Sequence, residues 1–226
     1  MGPRQGLSVV EEALPRFRYH PGPVATGMLV AREDFVCPVC SRSRAYAYIG
    51  PYVSDSFGFE NGEEICPWCI ADGSAARTLN ATFTTALYLS PQARAQMSPE
   101  ARAELERRTP SFLCLQQERW LDHHGEAAAY LGEVGLDRFL ELPPAAQVAV
   151  REGVGDDPRA ALRPTDFVNR LRADGDGPTV YLFRCLHCDW YGAFLQASMG
   201  GDTDAWKRKL AASPGGLVRW LTSIFR

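Results

Sequence analysis

The chain has 226 residues, of which 46% are hydrophobic and 23% are charged, a balance typical of a soluble globular protein. Its net charge of −3 and its isoelectric point near 5.8 argue against a nucleic acid as the main partner, because phosphate binding requires a basic surface. No apolar run is long enough to cross a bilayer and no secretory signal precedes the first cysteines, so we expect a cytoplasmic protein with no membrane partner.

The N-terminal part of the chain predicts a zinc ribbon over residues 32–72. We expect an aromatic-rich strand at residues 44–53, a turn at Asn61-Gly62 and a short strand that leads into Cys66. Two Cys-x-x-Cys pairs lie in this segment, and four thiolates complete the tetrahedral shell that zinc prefers. The predicted zinc ligands are therefore Cys37, Cys40, Cys66 and Cys69.

The paired cysteines are also compatible with disulfide bonds or with redox activity. Disulfides are rare in cytosolic proteins, where a doubled Cys-x-x-Cys more often binds a metal. A thioredoxin-like pair belongs to a βαβ context, and Pro67-Trp68 stands inside the second pair where such proteins have Gly-Pro. The doubled spacing therefore favours structural zinc, without which the small ribbon could not hold together by apolar packing.

Residues 73–173 are predicted to be mainly helical. Ser98 is a good N-cap with Pro99 at the first helical position. That helix should end before Thr109-Pro110, because a residue that precedes proline avoids the α region. Apolar periodicity and capping residues predict further helices at residues 71–83, 112–124, 127–134, 144–152 and 166–173.

Strands return toward the C-terminus, where a third Cys-x-x-Cys occurs. Two strands are predicted at residues 179–185 and 190–196. They pair across the turn that contains Cys185 and Cys188, and together they form a hairpin over residues 178–197. The predicted fold is therefore α+β, with an N-terminal zinc ribbon packed on a mainly helical body and a C-terminal Cys-x-x-Cys hairpin.

Helices are also expected over residues 202–226, which completes a single domain spanning residues 1–226. The apolar side chains of residues 217–225 fall on one helical face. Such a face usually docks on a core, although a membrane-surface helix or a partner-binding helix would have the same pattern.

Several short motifs are distinctive, above all the segment Ile65 to Ala76, which reads ICPWCIADGSAA. Others are Phe17 to Pro21, Tyr48 to Pro51, Thr109-Pro110, Gln116 to Glu118, Trp120-Leu121, Tyr130 to Gly132 and Phe183 to Cys188. Over most of residues 15–195 the chain resembles the CbrC family, a small bacterial family named for a colicin-tolerance phenotype. The resemblance implies a metal-binding protein linked to survival of bacteriocin-type toxins, and it implies no established catalytic residues.

The resemblance also suggests a second metal site. Members of the CbrC family often carry cysteines shortly after the Trp-Leu pair, and these would be natural partners of Cys185 and Cys188. This chain has histidines there instead, so a second zinc ion could use Cys185, Cys188 and His124, with His123 or Asp122 as a further ligand. The alternative is a vestigial site whose cysteines are merely half-buried.

The sequence lacks the motifs of common enzymes: it has no Gly-rich phosphate loop, no His-Glu-x-x-His helix and no Gly-x-Ser-x-Gly elbow. We therefore expect a protein that is not an enzyme, and His20 is interpreted as a structural, hydrogen-bonded histidine. A weaker hypothesis is a zinc hydrolase that uses Cys185, Cys188 and His124, with Glu126 as its base.

The favoured function is a non-enzymatic cytosolic immunity or tolerance protein that binds and neutralises a bacterial protein toxin, with zinc in a structural role. The acidic balance and the family resemblance support it. The alternative is a nucleic-acid-binding zinc-ribbon regulator. Its contacts would come from side chains that could equally form the ribbon's small core: Arg42, Arg44, Tyr46, Tyr48 and Tyr52.

Overall fold

The computed structural model describes residues 12–54, 63–114, 118–155, 171 and 178–196. Within them, helices are combined with small antiparallel sheets, so the mixed helix-and-sheet class predicted from the sequence is confirmed. None of the helices in these stretches has both the length and the apolar character needed to cross a membrane.

The N-terminal sheet is a two-stranded antiparallel hairpin. Strand β1 (Leu29–Val36) pairs with β2 (Ser43–Tyr48), and the first Cys-x-x-Cys occupies the turn between them. The strand predicted at residues 44–53 ends at Tyr48, because its partner β1 begins at Leu29, which pairs with Tyr48. Ile65 then forms an antiparallel bridge to Tyr48, which brings the second Cys-x-x-Cys beside the first.

Two short helices replace the single helix predicted at residues 71–83. Helix α1 (Pro67–Ala71) and helix α2 (Ser74–Leu79) are separated by Gly73, whose φ is +75°. A left-handed residue cannot continue a right-handed helix, so the chain turns there. Asn80, with φ of +50°, ends α2 in the same way.

Serine caps begin the next two helices, α3 (Pro91–Gln96) and α4 (Pro99–Arg108). Ser90 accepts a hydrogen bond from the Ala93 amide, and Ser98 accepts one from the Ala101 amide, both at 3.1 Å. The prediction for α4 is confirmed at both ends.

The helices predicted at residues 112–124 and 127–134 are wrong, and the helical region 73–173 is therefore interrupted by strands. The structure has a small hairpin, β3 (Asp122–His123) and β4 (Glu126–Ala127), followed by β5 (Ala129–Val134). The alanine-rich composition favours a helix, but tertiary pairing overrides that preference.

A three-stranded antiparallel sheet in the order β5-β6-β7 forms the C-terminal layer, with α5 (Leu136–Glu141) and α6 (Pro144–Gly155) following β5 along the chain. Strands β6 (Thr179–Arg184) and β7 (Tyr191–Gln196) confirm the predicted hairpin over the described part of residues 178–197. Helix α6 also confirms the helix predicted at residues 144–152. Other predictions fall wholly or almost wholly outside the described residues: the turn at 61–62, the helix at 166–173 and the helices over 202–226.

An aromatic cluster at the centre of the chain supports the β3–β4 hairpin. Phe112 stacks on Tyr130 at 4.1 Å between ring centroids, and Trp120 lies 5.4 Å from Phe112. The buried Trp120 indole donates a 2.7 Å hydrogen bond to the Ala128 carbonyl. Because Ala128 directly follows β4, this bond fixes the base of the hairpin to the core.

Candidate metal centres

The structure brings the four predicted cysteines of the ribbon together as one cluster, Cys37, Cys40, Cys66 and Cys69, whose Sγ atoms all lie within 4.8 Å of one another. Two of the Sγ–Sγ distances, Cys37 to Cys69 and Cys40 to Cys66, are 3.9 Å. A tetrahedral zinc–thiolate shell with bonds of about 2.3 Å has sulfur–sulfur edges of about 3.8 Å. The spacing therefore fits a metal-binding cluster, and the four cysteines are free of disulfide bonds.

Local backbone geometry places the thiols of this first cluster. The Ser41 amide donates to the Cys37 carbonyl at 2.8 Å, and the Cys37 amide donates to the Arg42 carbonyl at 3.0 Å, which closes the turn between β1 and β2. The Cys66 amide points to Cys37 Sγ at 3.4 Å. N–H groups directed at sulfur are the usual support for a negatively charged thiolate.

Burial and hydrogen bonding shift the pKa values of these thiols in directions that differ from one cysteine to the next. A hydrogen bond from the Cys66 thiol, together with nearby backbone amides, lowers the pKa of Cys37 to about 5. Burial raises the pKa of Cys69 to about 11, and the hydrogen bond to Cys37 together with burial raises the pKa of Cys66. Four ionised thiolates in this space would repel one another, so full ionisation requires a cation at the centre.

A second cluster joins two histidines of the β3–β4 hairpin to the Cys-x-x-Cys in the turn between β6 and β7. Ligand atoms of His123, His124, Cys185 and Cys188 all lie within 4.8 Å of one another. The distance from His123 Nδ1 to Cys188 Sγ is 3.6 Å. That equals the nitrogen–sulfur edge of about 3.6 Å in a tetrahedral zinc site with bonds of about 2.05 and 2.3 Å. Of the candidate ligands considered from the sequence, the fold brings together Cys185, Cys188, His124 and His123, and Asp122 is not among them.

The tight turn between β3 and β4 positions the imidazoles of His123 and His124. His124 and Gly125 are the two loop residues between β3 and β4, with φ of +53° and +72°. Two positive φ values are the mark of a type I′ hairpin turn. His123 stacks flat on Trp190 at 4.5 Å. Partial burial and the neighbouring His124 lower the pKa of His123, which favours the neutral form that binds metal.

Asp122, the other ligand considered from the sequence, has a different role. Its carboxylate accepts hydrogen bonds from the Ser90 amide and from the Ser90 hydroxyl, both at 2.7 Å. Asp122 therefore fastens the hairpin to the N-terminus of α3 instead of completing the metal shell.

Glu126, considered from the sequence only as a possible base, lies beside the second centre in a cluster of polar side chains that the sequence analysis did not predict. The carboxylate of Glu126 accepts hydrogen bonds from Tyr19 at 2.6 Å and pairs with Arg18 at 2.8 Å and His187 at 2.6 Å. Burial raises the pKa of Glu126, but the hydrogen bonds from Tyr19 and His187 and the charge of Arg18 outweigh it, so the pKa is lowered. No single sequence signal connects these groups, since His187 is 61 and Tyr19 is 107 residues from Glu126.

The two centres differ in their access to solvent. In the first cluster Cys37, Cys66 and Cys69 are at most 2% exposed, and Cys40 is partly buried. In the second, Cys185 is buried but Cys188 and His124 are exposed. A groove of about 440 Å³ runs along the second centre, and its wall includes Arg18, Arg184, His187 and Cys188.

His20 lies outside both centres and is a buried, hydrogen-bonded residue, as interpreted from the sequence. Its Nδ1 donates to the Pro110 carbonyl at 2.8 Å, and its Nε2 lies 2.8 Å from the Thr26 hydroxyl. Burial lowers the pKa of His20 to about 4. The imidazole therefore links the N-terminal segment to the loop after α4 in its neutral form.

Three of the side chains considered for nucleic-acid contacts are engaged inside the protein. Arg44 is only 8% exposed, lies 4.6 Å over the Trp68 ring and pairs with Glu12. The buried Tyr48 donates to the Pro51 carbonyl at 2.6 Å, and Tyr52 donates to the Glu63 carbonyl at 2.9 Å. These contacts favour the interpretation of Tyr48 and Tyr52 as part of the ribbon's core.

Comparison with known proteins places most of the chain in one family. The sequence profile of "Uncharacterised protein family (UPF0167)" matches residues 14–197. UPF0167 protein Mb2317 of Mycobacterium bovis is 42% identical over 183 residues, which is 81% of this chain and 93% of the relative. UPF0167 protein PA1536 of Pseudomonas aeruginosa is 34% identical over 176 residues, which is 77% of this chain and 92% of the relative. No solved structure gives a significant match.

Proposed function

The chain belongs to the UPF0167 family, and we propose that it is a zinc-stabilised binding protein that holds two structural ions and acts on a protein partner without catalysis. The observation that carries the proposal is the pair of clusters, each of which offers four nitrogen or sulfur ligands. A catalytic zinc ion keeps a coordination position for water or substrate, whereas four protein ligands close the shell.

The arrangement around Glu126 argues against hydrolysis at the second centre. A general base must be within reach of the proton that it removes and free to accept it. Both oxygens of Glu126 already accept hydrogen bonds, one from Tyr19 and one from His187. Glu126 therefore serves as a structural tie between the histidine hairpin and the cysteine turn.

A protein partner suits the charge of the chain better than a nucleic acid does. The net charge is −3, and Arg44 is engaged by Trp68 and Glu12. We extend the proposal to tolerance of a bacterial toxin, with the neutralised toxin as the partner, on the resemblance of the ICPWCIADGSAA segment and its companion motifs to the CbrC family. This extension rests on the motifs alone.

Zinc counting tests the structural part of the proposal. We expect two zinc ions per chain by elemental analysis of protein purified without chelator. Cys66→Ala should lose the ion of the first cluster and His124→Ala should weaken or lose that of the second, because each removes one of four ligands. Cys114→Ala removes a thiol outside both clusters and is the matched control, with unchanged metal content. A metal-free protein of native stability would refute the structural role.

The binding part is tested by co-expression with toxins encoded beside the gene. Protection that accompanies a stable complex with the toxin supports the proposal. Loss of protection in a folded, zinc-loaded Glu126→Gln variant that still binds the toxin would instead indicate a zinc hydrolase. A salt-sensitive affinity for DNA or RNA, with no toxin complex, would favour the nucleic-acid alternative.

A further inference from the structure

We infer that Cys185 and Cys188 form an oxidation site for peroxides, at which a disulfide replaces the second metal centre. The inference rests on the proposed function in one respect, the presence of an ion in that cluster. It adds a modification site and a class of reactant, a small hydroperoxide, that the structural role of the ion does not require.

Exposure distinguishes this cysteine pair from the first cluster. Oxidation of cysteine follows access to the sulfur as well as its thiolate character. Cys188 is exposed and its partner Cys185 is 5% exposed, whereas three thiols of the first cluster are at most 2% exposed. The same molecule therefore carries a pair with one exposed thiol and a cluster with three shielded thiols and one partly buried thiol, and that cluster serves as an internal control.

The surroundings of the pair favour stepwise attack on Cys188 and then resolution by Cys185. The groove of about 440 Å³ gives a small reactant access to Cys188. The buried Cys185 lies on the turn between β6 and β7. The His187 amide points to Cys185 Sγ at 3.3 Å. The Sγ atoms of the two cysteines lie within 4.8 Å of each other, so Cys185 is placed to attack the oxidised sulfur.

The chemistry balances with one peroxide per cysteine pair. The Cys188 thiolate attacks one oxygen of hydrogen peroxide, the O–O bond breaks, and a sulfenic acid and a hydroxide ion form. The Cys185 thiolate then attacks the Cys188 sulfur and displaces a second hydroxide as the disulfide forms. Two electrons pass from the sulfurs to the peroxide, and two protons from solvent convert both hydroxides to water. Only His123 and His124 remain as ligands, so the ion is released.

Oxidation would free the tip of the β3–β4 hairpin while its base stays attached. The base is held by the hydrogen bonds of Asp122 to Ser90 and of Trp120 to Ala128. The tip, His124-Gly125, is exposed at His124 and touches the cysteine turn through the metal cluster. Local opening at the tip, without global unfolding, is the structural response that we expect.

The experiment starts with full-length protein purified without oxygen and without chelator, in which zinc is counted first. Hydrogen peroxide is then added, released zinc is followed with a chromogenic chelator, and disulfides are mapped by mass spectrometry. We expect a fall from two ions to one, a Cys185–Cys188 disulfide, and recovery with a thiol reductant plus zinc. Faster amide hydrogen exchange should appear at the hairpin tip, residues 124–125, and not at residues 66–79.

Two variants keep four ligands while removing one sulfur. Cys188→His leaves a zinc site that cannot form the disulfide, so its zinc should be retained under peroxide. Cys40→His makes the same change in the first cluster, and peroxide-driven release from the second should continue unchanged.

The outcomes distinguish a failure of the inference from a failure of the proposed function. Two ions before peroxide and both retained afterwards would overturn the inference and leave the proposed function intact. Release from the first cluster before the second would overturn it as well. Fewer than two ions at the start, with the second cluster empty, would refute the proposed second ion and the inference together.

Discussion

The hydroxyl of Tyr19 donates a 2.6 Å hydrogen bond to Oε1 of Glu126, a residue 107 positions further along the chain. Tyr19 is fully buried, and the carboxylate that it contacts also pairs with His187 beside the second metal centre. The bond therefore ties the N-terminal segment to the hairpin that carries His123 and His124.

Tyr19→Phe should lower the free energy of unfolding by about 2 kcal/mol, because a hydrogen bond to a charged group is lost from a buried position. Urea denaturation in excess zinc measures this. Tyr46→Phe is the matched control, since the Tyr46 hydroxyl has no hydrogen-bond partner within the described residues. Equal stability of wild type and Tyr19→Phe would show that solvent replaces the phenol at no cost.

The lowered pKa of His20 predicts a loss of stability in acid. The pKa falls from an ordinary 6.5 to about 4 on folding, so the unfolded chain binds more protons between these values. The contribution of His20 to the free energy of unfolding is complete above pH 6.5. It declines as the pH falls, by about 2 kcal/mol at pH 5. The check is denaturation of wild type and His20→Gln across this range. Parallel pH curves for the two proteins would contradict the prediction.

Glu118 should have the opposite pH dependence. Burial raises its pKa to about 7, against hydrogen bonds from Thr84 and Ser111 that lower it. The folded chain therefore binds the extra proton between pH 4.5 and 7, and stability declines as the pH rises through this window.

Glu118→Gln keeps the shape without the charge. Its stability relative to wild type should rise by about 2 kcal/mol between pH 5 and pH 8, as measured by thermal or urea unfolding. A pH-independent difference between the two proteins would mean that the carboxyl is ionised without penalty in the folded state.

Gly125→Ala should weaken zinc binding at the second centre. Its φ is +72°, and an added Cβ would lie 2.2 Å from Gln96 Oε1 and 2.9 Å from Gln96 Cβ, so we expect the hairpin turn to shift. Gly27→Ala is the control, because Gly27 has φ of +75° but no atom within 4 Å of an added Cβ. Both variants should lose about 1 kcal/mol of stability from the left-handed backbone.

Competition with a chelator measures the expected difference in zinc affinity. Only Gly125→Ala should release the second ion more readily than wild type. The same affinity in both variants would mean that Gln96 moves aside and the turn is undisturbed.

Local patterns were sufficient wherever a few neighbouring residues determine the structure. Cys-x-x-Cys spacing predicted the first cluster, and Ser98-Pro99 with Thr109-Pro110 predicted both ends of α4. The β-branched and aromatic residues of Thr179–Arg184 likewise predicted β6, and the Cys-x-x-Cys that follows it predicted the return strand β7.

The helix predicted at residues 127–134 is wrong because long-range contacts determine the structure there. Three consecutive alanines favour a helix, but Ala129 to Val134 pair with β6, which is 46 to 55 residues away along the chain (Val134 with Val180, Ala129 with Arg184). The Glu126 contacts with Tyr19 and His187 were missed for the same reason, because no local spacing records a partner that only the fold brings near.

The two clusters also set an order of assembly during synthesis. The first closes a loop of 32 residues, from Cys37 to Cys69, and the second spans 65 residues, from His123 to Cys188. Doubling the loop adds only about 0.6 kcal/mol of closure entropy, so thermodynamics barely separates them. The order of synthesis does separate the two clusters. The first can form once Cys69 has left the ribosome, whereas His123 and His124 stay without their sulfur partners until Cys188 has been made.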